Sequence, residues 1–423
     1  MILYLRTDIC KNNILSGGSI GHSIGVIGKL KKYSKVIIYS SVMQSIFKQQ
    51  KDIIFKELQV WPIFIFLRWR FNYLRWRLEC FFSTVFFFCQ IFPDLKKYDY
   101  EFIYQRYSIL NFTGVLLSKY KKISLILEYN GSEMYWFMPS KNDPWYKRWF
   151  GFSQLSYWVE DLNLKHASLI VAVSQALKDD LVDRGIDSKK ILVNPNGVEE
   201  QTFSGEKLMK ERMTIRQKYN LENSVAFGFI GTFGHWHGIP MLEKIIPQIC
   251  DNYPQAKFLL IGDGSLRESL EQAVKKYINN GQVILTGRID QHLAPEYLAA
   301  CDAYLCPTAP NQDGTRFFGS PTKLFEYMSM AKPVIASDLE QLSEVLAPAI
   351  KVTKNISTIS LMVKNQVGIL VEPLNVQGFV KACELCLHMS EQERKKLGKN
   401  AREKILKNYT WQKHVERILQ KIY

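Results

Sequence analysis

The 423-residue chain lacks several features that would place a protein outside the cytoplasm. Its first residues, MILYLRT, show the apolar pattern of a strand and not the basic start and long apolar core of a signal peptide. The uncharged run from Cys80 to Phe92 has 13 residues, whereas a membrane-spanning helix needs about 20. The eight cysteines form no secreted disulfide framework, and the C-x-x-C at Cys383 and Cys386 has no second pair nearby to complete a zinc site. These absences predict a cytoplasmic protein with structural thiols.

Composition predicts a large soluble enzyme. A chain of this length with 47% apolar residues can fill the cores of two or three domains without any cofactor. The net charge of +15 is unevenly distributed, because residues 1–125 hold 19 Lys and Arg against 7 Asp and Glu. The amino-terminal part is therefore the basic part of the chain, and we expect it to meet an anionic surface.

The aromatic and basic segment from Trp61 to Phe92 is the candidate for that contact. It mixes Trp, Phe, Tyr and Arg as residues at a lipid headgroup boundary do. It is not a clean amphipathic helix, since Arg68 and Arg75 fall on one side and Arg70 and Arg77 on the other. A buried aromatic core with snorkelling arginines is the alternative. We see no nucleic-acid-binding module, so we predict peripheral contact with a membrane and no nucleic-acid partner.

The segment GSPTKLFEYMSMAKPVIA, from Gly319 to Ala336, carries the clearest site signal. Ser320 is a preferred N-cap, and a proline suits the first helical position that follows it, so we predict a helix from Ser320. The unpaired N–H groups of its first turn favour a phosphate, and Lys323 adds a full positive charge. Glu326 follows at i+3 from Lys323 and i+4 from Thr322, so the three side chains share one side. An ordinary capped helix with a surface Lys–Glu pair is the alternative reading.

A second strand–loop–helix unit is predicted upstream. Residues 225–230 form a strand, the loop from Gly231 to Gly238 is bounded by glycines, and a helix runs from Pro240. His235 and His237 lack carboxylate neighbours, so we predict no metal. The later turn at Gly264 lacks the third glycine of G-x-G-x-x-G, which argues against a dinucleotide cofactor.

Two segments of the amino-terminal half predict a further ligand surface. A strand at residues 2–5 leads into a glycine-rich turn with Gly17, Gly18 and His22, where the backbone can approach a ligand closely. A strand at residues 123–127 leads to Asn130 and Glu133, and open α/β sheets bind ligands at such strand ends. A plain tight turn is an equally good interpretation of the glycines.

These motifs, in this order from about residue 165 to 423, resemble those of retaining glycosyltransferase family four. Glu326 matches the second Glu of the family signature, which binds the nucleotide ribose, whereas Phe318 occupies the position of the first. The Arg and Lys that bind the donor diphosphate in the family are replaced by Thr232 and His237. Lys323, Arg288 and Arg316 are then the expected sources of the missing positive charge.

The resemblance implies the GT-B fold, with two Rossmann-like α/β domains facing a cleft. The expected division is an acceptor-binding domain at 1–200, a donor-binding domain at 201–405 and a helix at 406–423 that crosses back to the first domain.

The implied site residues fall into three groups. The catalytic group is Glu326, Lys323, His237 and Arg288. The donor-binding group is Gly231, Thr232, Gly264, Arg316, Ser320 and Thr322. The acceptor side is Gly17, Gly18, His22, Asn130 and Glu133.

The implied activity is transfer of a sugar, of hexose type, from a nucleotide-sugar donor to a hydroxyl of a glycan or lipid-linked acceptor. The anomeric configuration is retained and neither metal nor cofactor is required. A bacterial surface polysaccharide made at the inner face of the plasma membrane is the expected context. Two alternatives stay open: a nucleotide-sugar epimerase of the same architecture, and a non-catalytic sugar-nucleotide or lipid-binding partner.

Overall fold

A computed structural model describes residues 1–9, 17–41, 52–60, 72–133, 153–352 and 363–423. Residues 61–71 of the aromatic segment, with Arg68 and Arg70, lie outside these ranges. The chain divides into two compact units. Unit 1 comprises residues 1–15, 26–195 and 415–423, and unit 2 comprises residues 16–25 and 196–414.

Unit 1 is built on a seven-stranded sheet in which every described pairing is parallel, in the order β3-β2-β1-β4-β5-β6-β7. Its strands are β1 (Ile2–Arg6), β2 (Val36–Ser40), β3 (Ile53–Glu57), β4 (Phe102–Arg106), β5 (Ser124–Tyr129), β6 (Leu169–Ala172) and β7 (Ile191–Val193). The helices in the described residues up to 195 are α1 (Gly18–Leu30), α2 (Asn72–Lys97), α3 (Thr113–Lys121), α4 (Ser153–His166) and α5 (Gln175–Asp183). Such strands are buried on both faces, which explains why they read as continuous apolar runs.

Unit 2 repeats this design with a second parallel sheet, in the order β10-β9-β8-β11-β12-β14-β13. Its strands are β8 (Val225–Ile230), β9 (Ala256–Ile261), β10 (Val283–Gly287), β11 (Ala303–Cys306), β12 (Val334–Ser337), β13 (Ile350–Val352) and β14 (Ile369–Val371). The remaining helices are α6 (Met209–Lys218), α7 (Ile239–Asn252), α8 (Arg267–Ala273), α9 (Lys275–Asn279), α10 (Ala294–Ala299), α11 (Thr322–Ser329), α12 (Glu340–Leu346), α13 (Val376–His388), α14 (Glu391–Asn408) and α15 (Trp411–Ile422). Each unit is therefore a doubly wound α/β domain, as predicted.

The helices cover the sheets with apolar stripes. In unit 1, Phe87, Ile91 and Leu95 of α2 are fully buried against the sheet, at the i, i+4 and i+8 positions of one helical face. In unit 2, α7 buries a similar stripe in the core on one side of its sheet, while α11 packs on the other side. Because the strands of each sheet are parallel, their carboxyl ends all lie at one edge of that sheet. In such folds the loops at this edge carry the functional groups.

The division of the chain differs from the predicted boundaries in two places. Residues 16–25, at the start of α1, belong to unit 2 and not to the amino-terminal domain. The terminal segment joins unit 1 only from Val415, not from residue 406. Within unit 2, Trp411 stacks on His22 with ring centroids 4.9 Å apart, and it fills the space beside Gly25. This aromatic contact explains why both segments are assigned to unit 2.

Gly238 is the glycine that the fold constrains most clearly. It precedes α7 with a φ of 78°, in the left-handed region, and its carbonyl accepts hydrogen bonds from Met241 and Leu242. A Cβ atom at this position would lie 1.8 Å from the carbonyl oxygen of Pro307, which follows β11. Only glycine therefore satisfies both the backbone angle and the close approach of the start of α7 to the residue after β11.

We expect Gly238→Ala to destabilise the protein by more than the roughly 1 kcal/mol that a positive φ alone costs a non-glycine residue. Gly281→Ala is the matched control, because Gly281 has a φ of 77° but no atom within 4 Å of its would-be Cβ. The measurement is the midpoint of urea unfolding for both variants. Equal losses of stability would contradict the argument that the Pro307 carbonyl fixes this turn.

Candidate functional site

The candidate site lies in unit 2, where the loop after β8 meets the start of α11. β8 ends at Ile230, and Gly231 follows with a φ of 147°, its N–H donating to the Ile261 carbonyl at 3.0 Å. The loop then forms a short 3-10 turn at His235–His237 before α7 begins. The strand–loop–helix predicted at β8 and α7 is present, and so is the helix predicted near Ser320, here α11. The structure brings the loop after β8 and the start of α11 together.

Lys323 connects the two elements. Its side chain is buried, with only 6% exposed, and its Nζ lies 3.2 Å from Nδ1 of His237. The ammonium also lies over the ring of Phe229, 4.2 Å from the centroid, in a cation–π contact. Because an ammonium can only donate, Nδ1 accepts, and a neutral His237 ring carries its proton on Nε2.

The absence of a side chain at Gly231 leaves a space that these groups face. A Cβ atom there would lie 3.4 Å from Nζ of Lys323 and 3.8 Å from Nε2 of His237. A cation and an N–H donor therefore flank the backbone turn at the end of β8. This combination, beside a helix N-terminus, is chemically suited to the oxygen atoms of a phosphate.

Burial perturbs all three titratable groups of the site. It lowers the pKa of Lys323 to about 8, although Cys306 and Glu326 act in the opposite direction. It raises the pKa of Glu326 to about 7, and the Lys323 ammonium opposes that shift. The pKa of His237 is well below its ordinary value because of burial and the neighbouring ammonium. Strongly shifted groups that share one site are a physical indication of function.

Tyr327 was not among the residues predicted from the sequence. It fixes the position of α11 relative to the end of β8. Its hydroxyl accepts a hydrogen bond from the N–H of Ile230 at 2.8 Å. Its ring stacks on Tyr304 of β11, with centroids 4.5 Å apart and planes 11° from parallel. The signal available in the sequence was its spacing, because Tyr327 is at i+4 from Lys323 on the same side of the helix.

The helix start differs from the prediction. Pro321, not Ser320, is the N-cap, no side chain caps the helix, and α11 begins at Thr322. The Ser320 hydroxyl accepts instead from the N–H of Asn196 at 3.0 Å, and the Asn196 side chain donates to the Ser320 carbonyl. The serine is therefore held by a distant segment of unit 2. The Leu324 N–H donates to the Pro321 carbonyl at 3.0 Å, and the remaining first-turn N–H groups of this uncapped helix start are of the kind that can bind an anion.

The glycine-rich turn predicted for the acceptor side also lies beside this helix start. A Cβ at Gly18 would lie 3.0 Å from Oγ1 of Thr322, and Gly17 donates its N–H to Gln291 at 3.1 Å. His22 is only 1% exposed and packs against Trp411 and His414. Its assignment to the acceptor side stays a prediction.

The remaining predicted donor residues are more peripheral. Gly264 has a packing role, since a Cβ there would lie 2.5 Å from the Phe233 carbonyl. Thr232, Arg288 and Arg316 are exposed, and their predicted contacts with a donor are not tested by the described geometry. Phe318 is half-buried at the position where the family signature has its first Glu.

Asn130 and Glu133 belong to unit 1, at the carboxyl end of β5. The Asn130 side chain donates to Glu128 at 2.7 Å, and Glu133 accepts from the N–H of Ile109 at 2.7 Å. Burial raises the pKa of Glu133 to about 7, and Asp8 adds to that shift. Both residues are thus part of a hydrogen-bonded polar cluster, and their role at an acceptor stays a prediction.

Metal and thiol chemistry have little support in the described ranges. Among those residues, no group of three His, Cys, Asp or Glu side chains is arranged to hold a metal ion. Cys383 and Cys386 are free thiols buried in the core, and burial raises the pKa of Cys386 to about 12. Their position on α13 is consistent with packing.

Comparison with known proteins assigns this architecture. The family described as Glycosyltransferase Family 4 matches residues 70–202, and the family described as Glycosyl transferases group 1 matches residues 224–389. The crystal structure of Anabaena Alr3699/HepE in complex with UDP superposes with a TM-score of 0.68 at 18% identity, covering 100% of this chain and 99% of that one.

Curated relatives agree with this assignment. The chain is 24% identical over 339 residues to the uncharacterized glycosyltransferase MJ1069 of Methanocaldococcus jannaschii, which covers 78% of this chain and 76% of that protein. It is 29% identical over 174 residues to the putative teichuronic acid biosynthesis glycosyltransferase TuaC of Bacillus subtilis, covering 41% of this chain and 39% of that protein.

The fold and the relatives together define a glycosyltransferase of the GT-B type. Within that class, the chain carries a Glycosyltransferase Family 4 domain at residues 70–202 and a Glycosyl transferases group 1 domain at residues 224–389.

We expect the Lys323 ammonium to titrate with a midpoint near pH 8, as the burial of its charge requires. The measurement is NMR of the lysine side chains across pH 6–11, with the Lys323→Arg variant identifying the signal. Glu326→Gln should lower the midpoint further, because the Glu326 carboxylate raises the pKa of Lys323. A midpoint above 10, or one unchanged by Glu326→Gln, would contradict the described environment.

Proposed function

We propose that this protein is a retaining glycosyltransferase that moves a sugar, of hexose type, from a nucleotide-sugar donor to a hydroxyl of a glycan or lipid-linked acceptor. The observation that supports this most strongly is the position of the buried Lys323 on α11, one helical turn before Glu326 and beside the open turn at Gly231. The context we propose is bacterial surface polysaccharide biosynthesis, which the similarity to TuaC supports.

The donor diphosphate would occupy the space over Gly231. There, Lys323 offers an ammonium, His237 offers an N–H donor, and the uncapped start of α11 offers backbone N–H groups. Burial disfavours the charged form of Lys323. A bound anion would stabilise the ammonium and would therefore raise the pKa of Lys323. This is a physical reason for a buried lysine to lie beside a glycine turn.

Glu326 would bind the ribose. It lies one helical turn after Lys323, so a nucleotide whose diphosphate meets the lysine brings its sugar hydroxyls to the carboxylate. An ionised carboxylate accepts two hydrogen bonds from a diol. The raised pKa of Glu326, about 7, means that its carboxylate is only partly ionised at neutral pH before a ligand donates to it.

The proposed chemistry is electrostatic stabilisation of the departing nucleoside diphosphate. Negative charge develops on the leaving phosphate as the bond to the sugar breaks, and Lys323 and the helix start are placed to stabilise it. The acceptor hydroxyl attacks the same face of the sugar, and the leaving phosphate takes its proton. No enzyme carboxylate acts as a nucleophile, so Phe318 in the family's first Glu position is compatible with this scheme.

UDP-linked sugars are the donor class that we would test first. Support comes from the HepE structure, which was solved in complex with UDP and shares the fold over its full length. A panel of nucleotide sugars would identify the sugar and the base of this chain's own donor.

Membrane contact by unit 1 is the second part of the proposal. α2 is apolar enough over Arg75–Lys97 to cross a membrane by length and composition, but 44% of that window is buried inside the protein. Its inner face packs in the core, whereas Phe82 and Val85 of its outer face are exposed. Such a half-buried helix is suited to lie on a membrane surface.

The exposed face continues onto neighbouring helices. An aromatic chain links Phe81 of α2 to Phe112 and then to Trp158 of α4, with ring centroids 5.9 and 6.3 Å apart. Trp158 is exposed, as is Tyr120 of α3, which contacts Phe92. We call Phe82, Val85, Tyr120, Tyr157 and Trp158 the aromatic surface.

The arginines in the described part of the segment do not serve as headgroup ligands. Arg77 is fully buried and donates to the Ser156 hydroxyl at 3.0 Å, and Arg75 pairs with Glu79 at 2.6 Å. Two described lysines lie beside these aromatic residues: Lys96 is 4.9 Å from the ring centroid of Phe92, which contacts Tyr120, and Lys119 is exposed on α3. Lysines beside exposed aromatics suit an anionic lipid surface.

We expect one nucleotide among UDP-, GDP-, CMP- and ADP-linked sugars to stabilise the wild-type protein. At about 100 times its Kd it should add roughly 2.7 kcal/mol, measured by thermal shift. Glu326→Ala should lose most of that stabilisation because the ribose contact is gone, whereas Glu344→Ala, at an exposed Glu of α12, should keep it.

The identified donor then allows the reaction itself to be tested with lipid-linked acceptors. A product with the donor's anomeric configuration, read by NMR, supports the retaining scheme, and an inverted product overturns it. An epimerised nucleotide sugar formed without acceptor would favour the epimerase. Donor binding without turnover across many acceptors would favour the non-catalytic partner.

We expect Val85→Asp to weaken binding to vesicles of anionic lipid by about tenfold, because a carboxylate on the inserted face must be desolvated and meets negative headgroups. Val182→Asp is the matched control, since Val182 is an exposed valine on α5, a helix that contributes no residue to the aromatic surface. Binding is measured by co-sedimentation at fixed ionic strength. Equal affinities of the two variants, or no binding by the wild type, would overturn the proposed membrane contact.

A further inference from the structure

A cavity of about 250 Å³ lies in unit 2, apart from the candidate site. Its lining comes from α6, the start of β8, the residues before β11 and β12, and the first turn of α14. In a parallel sheet the strands all begin at one edge and end at the other. This cavity therefore lies at the edge where β8, β11 and β12 begin, and the candidate donor site lies at the edge where β8 ends. We call it the basic cavity.

Positive charge predominates in its lining. Four cations, Arg212, Lys332, Arg394 and Lys395, face two carboxylates, Asp302 and Glu391. The N-terminus of α14, an 18-residue helix, lies at the same wall, but Ser390 and Glu393 close it with a capping box, so it is not an open donor end. The cavity is thus a concave region with an excess of positive charge.

Both carboxylates are already engaged. Asp302 accepts from Arg212 at 2.6 Å on one oxygen and from Arg216 and the N–H of Ala226, at 3.0 and 2.9 Å, on the other. Glu391 pairs with Lys395 at 2.6 Å, where both side chains are largely exposed. Neither carboxylate is within ion-pair distance of Lys332 in the described structure.

Lys332 is a lining cation without an ion pair in the described structure, although the Asp302 carboxylate attracts it from a distance. It forms no hydrogen bond or ion pair with any residue in the described ranges, although its side chain is half-buried. The adjacent turn fixes its position, because Ala331 has a φ of 57° and the Ala331 carbonyl packs against Gly398 of α14. Burial lowers the pKa of Lys332, and repulsion from Arg212 lowers it further.

Arg394 offers further donors at the same wall. Its Nη1 donates to the carbonyls of Cys386 and Met389, at 3.1 and 2.6 Å, which anchors the guanidinium at the end of α13. A guanidinium held in this way has donors left over, because it carries five N–H groups. A fixed arginine beside a fixed lysine is an arrangement that recognises the oxygen atoms of a phosphate.

We propose that the basic cavity is an anion-binding site for a small phosphorylated ligand, of the size of inorganic phosphate or diphosphate, separate from the donor site. Lys332 provides the charge that the anion neutralises, and Arg394 provides directed N–H donors. The volume of about 250 Å³ accommodates such an anion but is small for a complete nucleotide sugar. The proposal is independent of the donor or acceptor that the enzyme uses.

The test is calorimetric titration with inorganic phosphate at constant ionic strength. It is made in a Lys323→Gln background, which removes the cation of the donor site. We expect this variant to bind one phosphate per chain. Adding Lys332→Gln should weaken that binding by about tenfold, the effect of losing one charge-assisted hydrogen bond. Adding Lys275→Gln, which removes an exposed lysine of α9, should change it less than twofold.

Two outcomes overturn the proposal. One is the absence of phosphate binding in the folded Lys323→Gln variant, which would confine phosphate to the donor site. The other is an equal effect of Lys332→Gln and Lys275→Gln, which would mean that phosphate responds only to net charge. If Lys332→Gln fails to fold, as judged by circular dichroism, Lys395→Gln at the rim is the second variant and should weaken binding by several-fold.

Discussion

The burial of the Lys323 charge is the constraint on which the candidate site depends. An ammonium removed from water is costly, and within the described structure its hydrogen bond goes to a neutral imidazole and its other contact is an aromatic ring. Glu326 compensates for only part of that cost, as the lowered pKa of Lys323 indicates. The fold must therefore hold this lysine in place against its tendency to become neutral.

Tyr327 and the two strand ends provide that restraint. The Tyr327 hydroxyl accepts the Ile230 N–H where β8 stops, so the register of α11 is fixed to the end of the strand. Gly238 and Pro307 close the opposite side of the loop at a distance that only glycine allows. With both boundaries fixed, Lys323 can reach His237 and the turn at Gly231 together. A preorganised cation of this kind stabilises developing charge without reorganising first.

Local sequence patterns predicted the elements well where short-range interactions decide them. β8 has the predicted bounds, and the Ser174 hydroxyl caps α5 by accepting from Leu177 at 3.2 Å, as a serine before a helix indicates. Ser320 shows the limit. Its hydroxyl was equally suited to cap a helix, but Asn196, more than a hundred residues earlier, takes that hydroxyl, and this competition is invisible in local sequence.

The aromatic segment shows a second limit of prediction from sequence, because its composition fits two different environments. Aromatic and basic residues occur together both at membrane surfaces and in cores with buried arginines, and α2 contains both situations within a few residues. Arg77 is fully buried against Ser156, whereas Val85, two turns further on, is 56% exposed. The side of the helix that faces the sheet decides between them, and that side is set by tertiary packing and not by which residues are present.

The replacement of the family's two donor cations has a physical consequence for the proposed chemistry. Thr232 is neutral, and the pKa of His237 lies so far below its ordinary value that the ring is neutral as well. In the described part of the site, Lys323 is then the buried cation nearest the turn at Gly231. A single ammonium in a desolvated site interacts more strongly with a developing anion than two exposed cations do, because the effective dielectric constant is lower. Burial at Lys323 can thus offset the charge lost at positions 232 and 237, provided that the lysine is protonated when the donor arrives. The Glu326 carboxylate attracts the Lys323 ammonium and so favours the protonated lysine. The proposed ribose contact by Glu326 and the proposed diphosphate contact by Lys323 therefore depend on one another.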